Sequence, residues 1–122
     1  MTDIGIGTEV LPPDVREVTI RAGESESDVV DLTGLVVVVM FAPDDWSPAN
    51  ISFLVSPDKS HWSNLYDVNG VEVIKPIPPG SAMLIDLETT RYISFMKIRS
   101  GPHDNPVPQV DDRSVLLVTA PA

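Results

Sequence analysis

Alternation of apolar and polar side chains is clearest in residues 46–73, WSPANISFLVSPDKSHWSNLYDVNGVEV. Ile51, Phe53 and Val55 alternate with Ser52, Leu54 and Ser56, the period-two pattern of a strand buried mainly on one face. Pro57-Asp58-Lys59-Ser60 then supplies a turn, and a short strand carrying Trp62 and Leu65 follows. Asn69-Gly70 predicts a tight hairpin turn, because this dipeptide readily takes positive φ angles, and Val71 and Val73 resume the alternation.

The same pattern divides the rest of the chain. Residues 1–15 have no sustained periodicity and include Pro12-Pro13, which reads as an extended arm. Residues 16–22 alternate, with Val18, Ile20 and Ala22 on one side and Glu17, Thr19 and Arg21 on the other, so they form a half-buried strand. Residues 29–32 make a short strand, and residues 35–41, LVVVVMF, a central one rich in β-branched side chains. Its outer face lies under a second layer or is an apolar surface awaiting another subunit. Three prolines in residues 75–80 make a rigid connector. Residues 82–87 place Met83, Ile85 and Leu87 on one face of a strand, and Glu88 to Thr90 turn the chain. In residues 91–100 the parity shifts between Phe95 and Met96, which predicts a bulge there. Residues 101–112, GPHDNPVPQVDD, form a long loop, a feature that in compact domains tends to be functional or partner-bound, and residues 114–119 are the last strand. No helical periodicity reaches ten residues. Eight to nine strands then imply an all-β, single-domain antiparallel β-sandwich of jelly-roll type, with residues 1–15 as arm and 16–122 as domain.

Composition adds to this picture mainly through charge. The 122 residues are 43% hydrophobic and carry a net charge of −10, which suits one cored domain and disfavours nucleic acid, since phosphates would be repelled. The acidity is uneven: residues 1–45 hold ten acidic and two basic side chains, residues 46–122 eight and six. Such a surface keeps a small domain soluble or attracts a basic partner. With no cysteine, neither disulfides nor thiolate metal sites are available. No cleavable signal and no transmembrane segment are expected, the longest apolar run being residues 35–42.

Candidate chemistry is sparse, and no enzyme is expected. Asp58, Ser60 and His61 contain the residue types of a nucleophile–base–orienter set, but neighbours on a strand point to opposite faces. His103, Asp104, Asp111 and Asp112 could hold Ca²⁺ or simply be a solvated loop, and Asp44-Asp45 admits the same two readings. Without the glycine-spaced pattern of a calcium loop, no metal and no cofactor is expected. Of the seven aromatics, Phe53, Trp62 and Phe95 are expected in the core, while Trp46, Trp62, Tyr66 and Tyr92 are the residues that could stack on a sugar.

Two resemblances follow from the longer segments. ISFLVSPDKSHWSNLYD followed by TRYISFMKIRS resembles discoidin-type, galactose-binding-like jelly rolls, in which a strand ending in Ser leads through an Asp-containing turn to a Trp and an Arg-Tyr opens a later strand. The wider order, GESESDVVDLTG, an apolar strand, PDDWSPANISFLVSPDKSHWSNLYDVNG and KIRSGPHDNPVPQVDDRSVLLV, is similar to small β-sandwich virion proteins of tailed bacteriophages. That resemblance implies a capsid decoration or cement protein on the outside of the head, made in the bacterial host cytoplasm. Its partners would be the major capsid protein and copies of itself, by analogy a homotrimer, with no nucleic acid and no membrane. A neck, tail or baseplate component and a carbohydrate-binding module of an adhesion protein are the alternatives. Expected contact residues are Ile4, Ile6, Val10 and Leu11 in the arm, and His103, Asn105, Val107 and Gln109 in the late loop.

Overall fold

The computed structural model describes Pro12 and residues 14–122. Ile4, Ile6, Val10 and Leu11 lie outside the described residues. The elements are β1 (Val15–Ile20), β2 (Val30–Asp31), β3 (Leu35–Phe41), β4 (Ile51–Ser56), β5 (Ser63–Asn64), β6 (Ala82–Leu84), α1 (Leu87–Thr90), β7 (Phe95–Ser100) and β8 (Arg113–Pro121). They form two four-stranded sheets, ordered β1-β8-β3-β6 and β2-β7-β4-β5. Every pairing is antiparallel, and β1 with β8, β2 with β7, β3 with β6 and β4 with β5 make nested pairs that alternate between sheets. The expected all-β antiparallel sandwich is present, with eight strands.

The core lies between the sheets and follows the period-two alternation. Val18, Ile20, Met40, Val115 and Leu117 face it from the first sheet, and Val30, Ile51, Phe53, Met96 and Ile98 from the second. Trp46, in the segment leading to β4, is buried with them, its indole N–H donating to Ala49 O at 3.1 Å. A buried indole needs such a partner, and the bend at Pro48 that follows Trp46 supplies it.

Several expectations need correction. Trp62 and Phe95 are not core residues: each is half-buried on the outer side of the second sheet, under Lys97 and Lys59 respectively. Trp46 occupies the core instead, because core access here depends on how a loop closes as well as on strand parity. The bulge is absent from Phe95/Met96, where β7 stays in continuous register with β4. Ile93, which suggested the parity shift, precedes the strand and belongs to the turn after α1. The register shift lies in β3 against β8, between Val37 and Val39. Backbone groups displaced there find other partners: Val37 N–H donates to Thr90 Oγ1 at 2.8 Å, and Val38 O accepts from Ile85 N–H at 3.0 Å. Thr90 is buried, so α1 is the device that carries its hydroxyl to the bulge. Strand pairing in residues 82–87 accordingly stops at Leu84, and Leu87 starts the helix half-exposed. β1 ends at Ile20, leaving Ala22 exposed in the turn, where its N–H is held by Asp112. β2 and β5 are each only two residues long, so Val29 is exposed and neither Trp62 nor Leu65 lies within a strand.

Candidate functional site

Directly paired residues on neighbouring strands present their side chains to the same face. On the outer face of the first sheet this yields one row of Val15, Val118, Val39 and Leu84 and a second of Glu17, Leu116, Phe41 and Ala82. Seven of these eight positions are apolar, the exception being Glu17 on the edge strand. Leu84 is 83% exposed and Phe41 42%, while Val39, Leu116 and Val118 are half-buried. Of the two alternatives posed by residues 35–41, an exposed apolar surface is the one realised.

The outer face of the second sheet is polar. Its rows are Glu26, Arg99 and Ser52, then Lys97, Leu54 and Asn64, then Asp31, Phe95 and Ser56. Arg99, only 5% exposed, uses all three of its nitrogens: Nε donates to Ser52 Oγ at 2.9 Å, Nη1 to Asn64 Oδ1 at 2.9 Å and Nη2 to Glu72 Oε2 at 3.2 Å. Glu72 also receives His103 N–H at 3.0 Å and the His103 ring Nδ1 at 2.9 Å. Burial pushes the Glu72 carboxyl up, but the two bonds from His103 and the charges of His103 and Arg99 outweigh it and hold the group below its usual range. The residues on both sides of Glu72 form the expected hairpin. Asp67 accepts the N–H groups of Asn69 and Val71, Gly70 takes a φ of +77°, and Tyr66 bridges Glu72 across the ladder. The hairpin is thus fastened down over the arginine.

The late loop is fixed by its own chemistry. Gly101 has a φ of +88°, and a side chain there would come within 2.7 Å of Asn105 O and 2.8 Å of Val107 N, so only glycine fits. Gln109 is fully buried: its Oε1 accepts Ser47 N–H at 2.8 Å, its Nε2 donates to Ser47 O and Ser100 Oγ, and its backbone bonds Gly23 and Glu24. Gln109 therefore presents no surface to a partner in this fold. His103 and Asn105 are exposed, and Val107 is half-buried.

The remaining chemical candidates are placed as follows. Asp58 and His61 are brought together, with Nδ1 to Oδ2 at 2.6 Å, because they sit in a turn and not along a strand. Asp58 also accepts the N–H groups of His61 and Ser60, and these bonds hold its pKa at about 2. This is a side-chain-closed turn, with no described hydroxyl bonded to His61. The late-loop candidates diverge: His103 faces Glu72, Asp111 caps Asp112 N–H, and Asp112 reaches Ala22 N–H and Arg21. Asp45 pairs with Arg113 at 3.2 Å, and Asp44 lies against Gly80. Among the described residues no three histidine, aspartate or glutamate side chains stand where they could hold one metal ion. No described helix is long and apolar enough to cross a membrane. Of the aromatics named as sugar platforms, Trp46 is buried, whereas Tyr66 and Tyr92 are exposed.

A groove of about 570 Å³ opens between the hairpin segment 65–75 and α1. Sequence reasoning did not find it, nor the role of Arg99 and Glu72, because these residues lie 27 positions apart and only the hairpin brings them together. The one local signal was a strand, residues 95–100, that carries two cations, Lys97 and Arg99, among apolar residues.

Comparison of the chain with protein-family models, with curated proteins and with solved structures yields no match.

Proposed function

We propose that the protein is a structural component of a tailed-bacteriophage virion, a decoration or cement protein that docks on the outside of the head shell and stabilises it. The observation that carries this reading is the outer face of the first sheet, where Leu84, Phe41, Leu116, Val118 and Val39 form an apolar surface across three adjacent strands, β8, β3 and β6. Contiguous apolar surface of this kind marks a docking face, and its single flanking carboxylate gives little to repel a partner. The nested strand order supports a jelly roll, in keeping with the resemblance of the chain from Gly23 onward to small virion sandwiches. The acidic remainder of the molecule favours a basic patch on the shell.

In this reading the major capsid protein and further copies of the chain, as a homotrimer, are the partners, and residues 4–11, the exposed His103 and Asn105 and the half-buried Val107 supply additional contacts. Neither nucleic acid nor a cofactor is required. The glycan-binding alternative loses Trp46 as a platform, because that ring is in the core.

Purified protein is expected to bind expanded, DNA-free heads at fixed stoichiometry and to raise their melting temperature. Failure to bind any shell would sink the reading. A Leu84→Lys/Phe41→Lys chain that binds as well as the parent would remove the sheet face from it.

A further inference from the structure

We propose that the groove between the hairpin and α1 takes a short segment of another protein in which lysine or arginine stands beside an apolar side chain. Tyr66, Val68 and Ile74 line it from the hairpin and Leu87 from the helix, each substantially exposed. Four carboxylates, Asp67, Glu72, Asp86 and Glu88, stand in its walls against one cation, Lys75. Two of these carboxylates are committed internally. Asp67 closes the hairpin turn, and Glu72 holds Arg99 and His103. The side-chain carboxylates of Asp86 and Glu88, on the helix side, make no hydrogen bond or ion pair with any described residue, Asp86 accepting only through its backbone carbonyl, from Thr89 N–H at 3.0 Å.

The chemistry of the occupant follows from this arrangement. Exposed apolar side chains favour an apolar neighbour, and the carboxylate rim favours a cation whose aliphatic stem can lie along the same surface. An acidic segment or a phosphate would be repelled. The volume lies within the usual range for sites that enclose small ligands or a few side chains. Because Arg99 and Asp67 fix the hairpin from beneath, that wall is formed before binding, which lowers the ordering cost. The inference stands whether or not the sheet face docks on a shell.

A labelled synthetic peptide of alternating leucine and lysine, titrated into the full chain, tests it by fluorescence anisotropy and by amide shifts in NMR spectra. The leucine–lysine peptide should bind, with shifts concentrated at Tyr66, Val68, Ile74 and Leu87, and a leucine–glutamate peptide should not. Asp86→Asn/Glu88→Gln should weaken binding about five- to tenfold, the scale of two partly exposed ion pairs, without changing the melting temperature. The proposal is overturned if the lysine peptide does not bind, if both peptides bind alike, if the shifts map elsewhere, or if the double variant binds like the parent. Oligosaccharide shifting the same four amides while the lysine peptide leaves them in place would equally overturn it.

Discussion

The two outer faces of the sandwich have nearly opposite chemistry, on sheets whose edge strands differ in length: β1 has six residues, β2 and β5 only two each. The first presents two rows of mainly apolar side chains across β1, β8, β3 and β6. The second carries Arg99, Lys97, Glu26 and Asp31, and at one end the hairpin and the late loop fold down on the arginine. Exposure therefore does not follow polarity here: a leucine stands in solvent on one face while an arginine is buried on the other. The buried charge is tolerable because every guanidinium nitrogen has an acceptor, so the polar face is committed to holding the fold together. On the apolar face, Leu84 and Phe41 stay exposed.

The largest expected effect breaks the polar face. Arg99→Met should cost about 3–5 kcal/mol in urea unfolding, because Glu72 is left without its buried cation. Adding Glu72→Met should recover much of that loss, since two apolar side chains leave no unpaired charge; a double variant no better than the single would mean that hairpin closure and not charge pairing dominates. Next is Gln109→Ala, which strands Ser47 N–H and removes two donor bonds. It should lower stability by about 2–3 kcal/mol and speed proteolysis in residues 101–112.

Smaller effects appear on acidification. Glu72 and Asp58 both have carboxyl groups held below their ordinary values of 4.5 and 3.8. A depressed folded-state value adds stability that is complete above the unfolded value and disappears as pH falls through the folded one, for Asp58 between about 4 and about 2. Glu72→Gln should accordingly be less stable than the parent at neutral pH, with the gap closing as pH falls below the ordinary value of 4.5 in acid-unfolding curves. Least affected should be the apolar face. Leu84→Lys should change stability by no more than about 0.5 kcal/mol, because the side chain is already in solvent, while reducing attachment to shells in the binding assay. A large loss of stability there would mean that the face is packed within the molecule and not reserved for a partner.

Much of the sandwich was legible: β1 and β4 lie where period-two alternation places them, β3 where the run of β-branched residues does, and β7 and β8 overlap the last two expected strands, although β7 starts only at Phe95. What escaped depended on contacts made through space. Trp46 and Trp62 are indistinguishable in strand context, yet only the former is enclosed when the segment before β4 folds inward. The bulge could not be located from parity, since the displaced backbone at Val37 and Val38 is satisfied by α1 and the residue after β6, both far along the chain. The polar cluster was hidden for the same reason. Gln109 read as a loop residue free to touch a partner, and nothing in its neighbours revealed that Ser47 and Ser100 surround it.

β8 lies between β1 and β3 in the first sheet, pairing Val118 with Val15 on one side and with Val39 on the other. During synthesis β1 is therefore made early and waits, without its ladder partner, until residues 113–121 have been added. So much pairing between distant parts of the sequence makes for slow closure, and the apolar rows of that sheet stay without their central strand throughout. The nascent chain is thus most prone to aggregate just before its last strand is complete. Slower growth at lower temperature, or a holding chaperone, should raise the yield of soluble protein far more than any substitution on the polar face.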